Sequence, residues 1–279
     1  MPYCKVREAE IYYEEIGQGK PIIMIHGFSL DHRLMKGCLE PIFTEREGWR
    51  RIYINLPGMG ATREYEKIKN SDGMLQAVMD FIQLHIPNED YVIIGESYGG
   101  YIARGIIEKQ HARVAAAAFI CPVIKPLPET RTVPEHVVLR ADEQLLASLS
   151  SEQVEDFKEN NVLLTDYTWA RYNQEIIRGV KMGDTEFLEK VQQDYAFTFE
   201  TDQTTFAKPS LFLMGKQDAT VGYKDAFDIL PMYPRATFST LDMAGHNLQI
   251  EQPQLFNALL NEWLERVEEH RAVEKMQQI

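Results

Sequence analysis

No apolar run in the sequence approaches the roughly 20 residues that a bilayer-spanning helix needs. The first ten residues are polar and charged, without the apolar core of a secretion signal, so a cytoplasmic location is expected. Cysteine is scarce. Cys4, Cys38 and Cys121 are odd in number and far apart, with no C-x-x-C spacing, which excludes a disulfide framework and a cysteine zinc site. Cys121 ends an apolar run and reads as a core thiol. There are seven histidines and no H-x-x-x-H or H-E-x-x-H pair among them, so neither a metal nor a cofactor is implied. Positive charge is also short, with 29 Lys and Arg against 42 Asp and Glu and a formal charge of −13. Without a basic patch to neutralise phosphates, nucleic acid is excluded as a partner. Internal repeats and low-complexity segments are absent.

What remains is an ordinary globular composition, 279 residues and 44% hydrophobic, enough for one large domain or one domain with an insertion. Residues 3–16 alternate loosely, are rich in Tyr and Ile, and predict an opening hairpin. Short apolar runs at 21–25, 51–55, 91–94, 114–120, 210–214 and 236–241 predict strands, most of them buried on both faces. Helices are expected near 34–45, over 71–85 with Ser71 or Asp72 as cap, over 98–110, near 223–230 and over 253–270, with a frayed tail from about 271. Between 125 and 205 the texture changes: prolines 126, 128 and 134 mark a linker, and 141–195 read as amphipathic helices without a strand signal. That stretch is acid-rich, with 16 Asp and Glu against 8 Lys and Arg over 125–203. A solvated acidic face is the plain explanation, and steering of cationic substrates the sharper one. The fold class expected is α/β: a mostly parallel central sheet with helices on both faces, formed by 1–124 and 206–279, and a helical cap at 125–205 inserted after the strand near 114–120. Ligands of such sheets bind beyond the C-terminal ends of the strands, where the cap forms a roof.

The strongest local signal is Gly95-Glu96-Ser97-Tyr98-Gly99-Gly100 between a predicted strand and a predicted helix. A strand turning directly into a helix strains the middle residue, and only small neighbours leave room for it; Gly95 and Gly99 supply that room. Ser97 is the candidate nucleophile. A serine needs a base, and His246 follows a strand on the same rim. Asp218, just past the strand 210–214, is the candidate acid that orients it. Three such residues after three separate strands, in the order Ser, Asp, His, are improbable by chance. The backbone N–H groups of Tyr98 and Phe28 are the expected oxyanion donors. His26 and Gly27 shape the Phe28 loop, His26 through a structural hydrogen bond, and no Gly-Gly-Gly run is present.

The pieces His26-Gly27-Phe28, Leu56-Pro57-Gly58-Met59-Gly60, Gly95 to Gly100, Gly215-x-x-Asp218 and Gly245-His246 resemble the α/β-hydrolase superfamily. Within it they are similar to the capped branch of carboxylesterases, proline iminopeptidases, C–C bond hydrolases and cofactor-free haloperoxidases. The resemblance covers most of the chain outside the middle insertion. It implies the fold, the roles of Ser97, His246 and Asp218, and the two backbone donors. Asn55 stands where an Asp commonly precedes the Leu-Pro-Gly turn, and a Ser nucleophile separates the chain from the dehalogenases and epoxide hydrolases of that branch.

Other residues have plainer readings. Asp242 is expected to be a surface residue at a strand end, Glu96 to point away from the serine, and His32 to be an ordinary loop histidine. Tyr167, Trp169, Tyr172 and Tyr195 read as cap core, with one or two able to face substrate, and Met35, Met59 and Met243 as pocket lining or filler. The function expected is a serine hydrolase cleaving a small-molecule ester through an acyl-enzyme. An aminopeptidase- or amidase-like hydrolase is the alternative, and a ligand-binding receptor on the same scaffold the alternative of another class. A small molecule is the expected partner, with no membrane involvement; monomer and dimer both stay open.

Overall fold

The alternating Tyr and Ile residues at the start of the chain pair as an antiparallel unit, β1 (Tyr3–Lys5) and β2 (Glu10–Ile16). The computed structural model describes residues 2–277. The unbroken apolar runs form β3 (Lys20–Ile25), β4 (Trp49–Ile54), β5 (Tyr91–Glu96) and β6 (Val114–Ile120). Between them lie α1 (His32–Phe43), α2 (Ser71–His85) and α3 (Tyr98–Gln110). Asp31 caps α1, and Asn70, one residue ahead of the expected cap, accepts the Gly73 N–H at the start of α2. After a long intervening segment come β9 (Ser210–Gly215), α9 (Ala226–Ile229), β10 (Ala236–Leu241), α10 (Leu248–Glu251) and α11 (Pro253–Gln277).

The strands form one eight-stranded sheet in the order β1-β2-β4-β3-β5-β6-β9-β10, parallel from β4 onward. Strands buried on both faces cannot alternate polar and apolar residues, which is why Ile22 to Ile25, Tyr91 to Ile94 and Val114 to Ile120 are solidly apolar and buried. Parallel order puts the C-terminal ends of β3, β5, β6, β9 and β10 on one rim.

The intervening segment holds β7 (Arg140–Ala141), α4 (Glu143–Ser148), α5 (Ser151–Asn160), β8 (Leu163–Leu164) and α6 (Asp166–Tyr172). A π-turn over Asn173–Ile177 then leads into α7 (Arg178–Val180), followed by α8 (Thr185–Gln193). The segment was expected to be purely helical, but β7 and β8 pair in parallel. Two-residue strands are too short to leave a period in the sequence. Leu145, Leu146, Phe157, Leu164, Tyr172 and Ile176 form a second core here, closed from below by Leu34 and Ile250. Both ends of the segment are pinned to α3. Arg104, buried, donates to the carbonyls of Val123 and Ile124 at one end and to Thr201 and Asp202 at the other.

The frayed tail expected from residue 271 is instead a continuation of α11 to Gln277, where Arg, Ala, Glu, Lys and Met all favour helix. Among the described residues no helix is long and apolar enough to cross a membrane.

Candidate active site

Ser97 sits where β5 turns into α3, at φ 50° and ψ −113°, a conformation that costs a non-glycine residue on the order of 1–3 kcal/mol. Surrounding bonds hold it there. Its N–H donates to Ile120 O at 2.9 Å, and its own carbonyl accepts the N–H groups of Tyr101 and Val123. The turn closes only because its neighbours lack side chains. A Cβ on Gly95 would fall on the Gly99 carbonyl, and one on Gly99 would fall on the carbonyl of Ile25.

Ser97 Oγ donates to His246 Nε2 at 2.9 Å, and His246 Nδ1–H donates to Asp218 Oδ2 at 2.9 Å. The structure thus brings together Ser97, His246 and Asp218 from loops after β5, β10 and β9. The two later loops are zipped to each other: Gln217 N–H bonds Ala244 O, and Ala244 N–H bonds Gln217 Oε1. The second oxygen of Asp218 accepts the N–H groups of Thr220 and Val221. Burial pushes the Asp218 carboxyl up, but the His246 charge and these hydrogen bonds outweigh it and hold it below its ordinary value. At His246 burial pulls downward, and the Asp218 charge, with Glu96 adding to it, raises the imidazole to about 9.

Tyr98 is the first residue of α3, so its N–H has no partner within the helix. Gly27 and Phe28 line the same cavity as Ser97 and Glu96. The Phe28 ring packs edge-on against Tyr98 and Tyr195. His26 is fully buried, and its Nε2 accepts Leu56 N–H at 3.1 Å, which leaves the proton on Nδ1 for Gly27 O at 2.8 Å. Burial drops its pKa to about 4, so it is a neutral strut between the Phe28 loop and the Leu-Pro-Gly turn. Asn55 takes a similar part, its Oδ1 accepting the His32 N–H and ring nitrogen at 2.8 and 2.9 Å. His32 is therefore structural and its ring meets Glu14 as well.

Glu96 does not point away from the serine as expected. It is 1% exposed, lines the cavity, and places Oε1 3.6 Å from His246 Nε2. Asp242 is exposed and bonded to Gln217, well apart from the triad hydrogen bonds. Tyr172 and Tyr195 face the cavity, whereas Tyr167 is half exposed and Trp169 packs on Phe157. Met35 and Met59 are buried filler, and Met243 is on the surface.

The cavity has a volume of about 590 Å³. Its floor is Gly27, Phe28, Ser97 and His246, and its roof is Arg131, Asp156, Glu159, Tyr172, Ile176 and Tyr195 from the intervening segment. Two residues escaped the sequence reading because their partners are mainly backbone. Arg131 is held by the carbonyls of Lys125, Pro126 and Thr220. Glu251, buried, accepts Gly245 N–H with one oxygen and the N–H groups of Val162 and Leu163 with the other. Cys121, Asp218 and His246 place their ligand atoms within 4.8 Å of one another, but burial pushes the Cys121 thiol well up, which disfavours the thiolate a metal needs.

Residues 20–253 match the sequence pattern of the α/β hydrolase fold. The chain belongs to the α/β-hydrolase family. A candidate non-heme chloroperoxidase of Synechocystis sp. is 29% identical to this α/β-hydrolase over 143 residues, 49% of this chain and 51% of that protein. The alignment thus spans about half the length of that curated relative. An α/β-superfamily hydrolase from Oenococcus oeni superposes with a TM-score of 0.87 at 27% identity, over 96% of this chain and all of that one. A thermophilic esterase from Thermogutta terrifontis has a TM-score of 0.64 at 20% identity over 95% and 98% of the two chains, a likeness of fold alone.

Proposed function

We propose that this α/β-hydrolase is a serine hydrolase that cleaves a small-molecule ester through an acyl-enzyme on Ser97. The observation that carries the reading is the unbroken relay from Ser97 Oγ through His246 to Asp218, with 2.9 Å at each step, at the floor of a roofed cavity. In this reading His246 Nε2 takes the Ser97 proton as Oγ attacks the ester carbonyl, and returns it to the departing alcohol. Asp218 fixes the tautomer and bears the imidazolium. The Phe28 and Tyr98 amides receive the oxyanion, adding to the positive end of the α3 dipole. Water then repeats the attack on the acyl-serine. The segment 125–205 acts as a cap that selects the substrate.

A fluorophosphonate probe tests the proposal. Wild type is expected to label at Ser97 and Ser97→Ala to remain unlabelled; a folded wild type that does not label sinks it. An amidase reading has one observation in its favour, since Asp156 and Glu159 line the roof where they could meet a substrate ammonium. Turnover of an aminoacyl p-nitroanilide far above that of p-nitrophenyl acetate would favour it.

A further inference from the structure

Glu96 has no part in the three-residue relay, yet it is buried inside the cavity. Its Oε1 lies 3.6 Å from His246 Nε2, the nitrogen that also faces Ser97 Oγ at 2.9 Å. Its Oε2 is sealed from solvent against the backbone of Gly27, at a spot that a side chain on Gly27 would fill. A carboxyl group is therefore wedged between the oxyanion loop and the base.

We propose that Glu96 is a positioning residue that governs when His246 can act as a base, its charge 3.6 Å from Nε2 deciding how tightly the imidazole holds a second proton. The proposal rests on the serine-hydrolase reading and deepens it. With one proton on the pair, two arrangements exist. Carboxylate beside imidazolium leaves Nε2 no lone pair to receive the Ser97 proton. Carboxylic acid beside neutral imidazole leaves it free. An ionised Glu96 favours the first arrangement, because opposite charges at this separation stabilise each other by one to three pKa units. Burial pushes Glu96 up to about 7, opposed by His246 and by the Gly27 backbone and assisted by the Asp218 charge. With Glu96 at about 7 and His246 at about 9, the two titrate as a coupled pair whose macroscopic steps belong to neither residue alone.

The other charged and titratable groups around the pair come from each neighbouring element. Asp218 raises both members, and Arg131 from the roof lowers His246. Tyr195 from the roof, Cys121 after β6 and Cys38 on α1 each feel the Glu96 charge. Glu251 lies behind the histidine loop, within the field of Asp218.

The test is the rate at which a fluorophosphonate labels Ser97 between pH 5 and 10, which needs no knowledge of the natural substrate. In Glu96→Gln the acid limb is expected to move down by about one pH unit or more, so that labelling at pH 6.5 becomes roughly tenfold faster than in wild type. Glu96→Asp keeps the charge and should retain the wild-type limb more closely. An unshifted limb in Glu96→Gln, or an equal loss of rate at every pH, overturns the proposal. Wild type that fails to label at any pH overturns the hydrolase reading itself. Should Glu96→Gln fail to fold, the wild-type His246 ring resonances decide by NMR: two titration steps support coupling to Glu96, and a single unit-slope step refutes it.

Discussion

A single imidazole carries the chemistry proposed here, and its neighbours decide what it can do. Asp218 is buried and binds Nδ1–H, so Asp218→Asn presents an amide that favours the opposite tautomer. The expected loss in kcat is about 10⁴-fold, with an unchanged circular dichroism spectrum; a loss below tenfold would mean that another group orients the base. Glu96 yields a prediction about stability. Its folded pKa is raised from 4.5 to about 7, so the folded state holds the proton more tightly than the unfolded chain. Stability therefore falls as pH rises from 4.5 to 7, and above that window the ionised group costs on the order of 3 kcal/mol, at about 1.4 kcal/mol per pKa unit. Glu96→Gln is expected to raise Tm at pH 8 and to change it much less at pH 4.5. Equal shifts at both values would contradict a buried, titrating carboxyl.

Elements position these residues, and here the sequence was legible in some places and silent in others. The strand at 114–120 and the helices at 71–85 and 98–110 were readable to the residue, because long apolar runs and strong periodicity leave little choice. Ser97, Asp218 and His246 were readable because each follows such a strand. The direction of Glu96 was not, since the motif marks the strain at Ser97 but not which way the side chain before it turns. Arg131 and Glu251 were invisible because backbone N–H and C=O groups, identical at every residue, are their chief partners. Arg104 was also unread, the single charge within the stretch Tyr98 to Ile107 of α3. It ties both ends of the roof segment to α3 and pairs with Asp202, itself bonded to Tyr233. Arg104→Met leaves Asp202 buried without its cation, for an expected cost of about 3–5 kcal/mol in denaturant unfolding. A change under 1 kcal/mol would show that the pair contributes little to closing the segment. Gly99→Ala, which drives a methyl onto the Ile25 carbonyl, should cost more than Gly48→Ala, where the added atom meets nothing within 4 Å.

At the scale of the whole molecule the charge of −13 is unevenly spread, with the roof segment carrying much of it. Fields of this kind act over roughly a Debye length, about 10 Å at 0.1 M salt, and fade as salt is added. The kcat/KM for a choline ester should therefore fall between 20 mM and 500 mM NaCl, while that of a neutral ester of the same acid stays level. Parallel responses would assign the acidic residues to solubility alone. Roof and floor are also joined by one carboxylate. Glu251 grips Gly245, beside the base, and at the same time Val162 and Leu163 at β8 in the middle of the roof segment. One side chain thus anchors two places at once: loss of the Glu251 carboxylate would leave three backbone N–H groups, two in the roof and one in the histidine loop, without their acceptor.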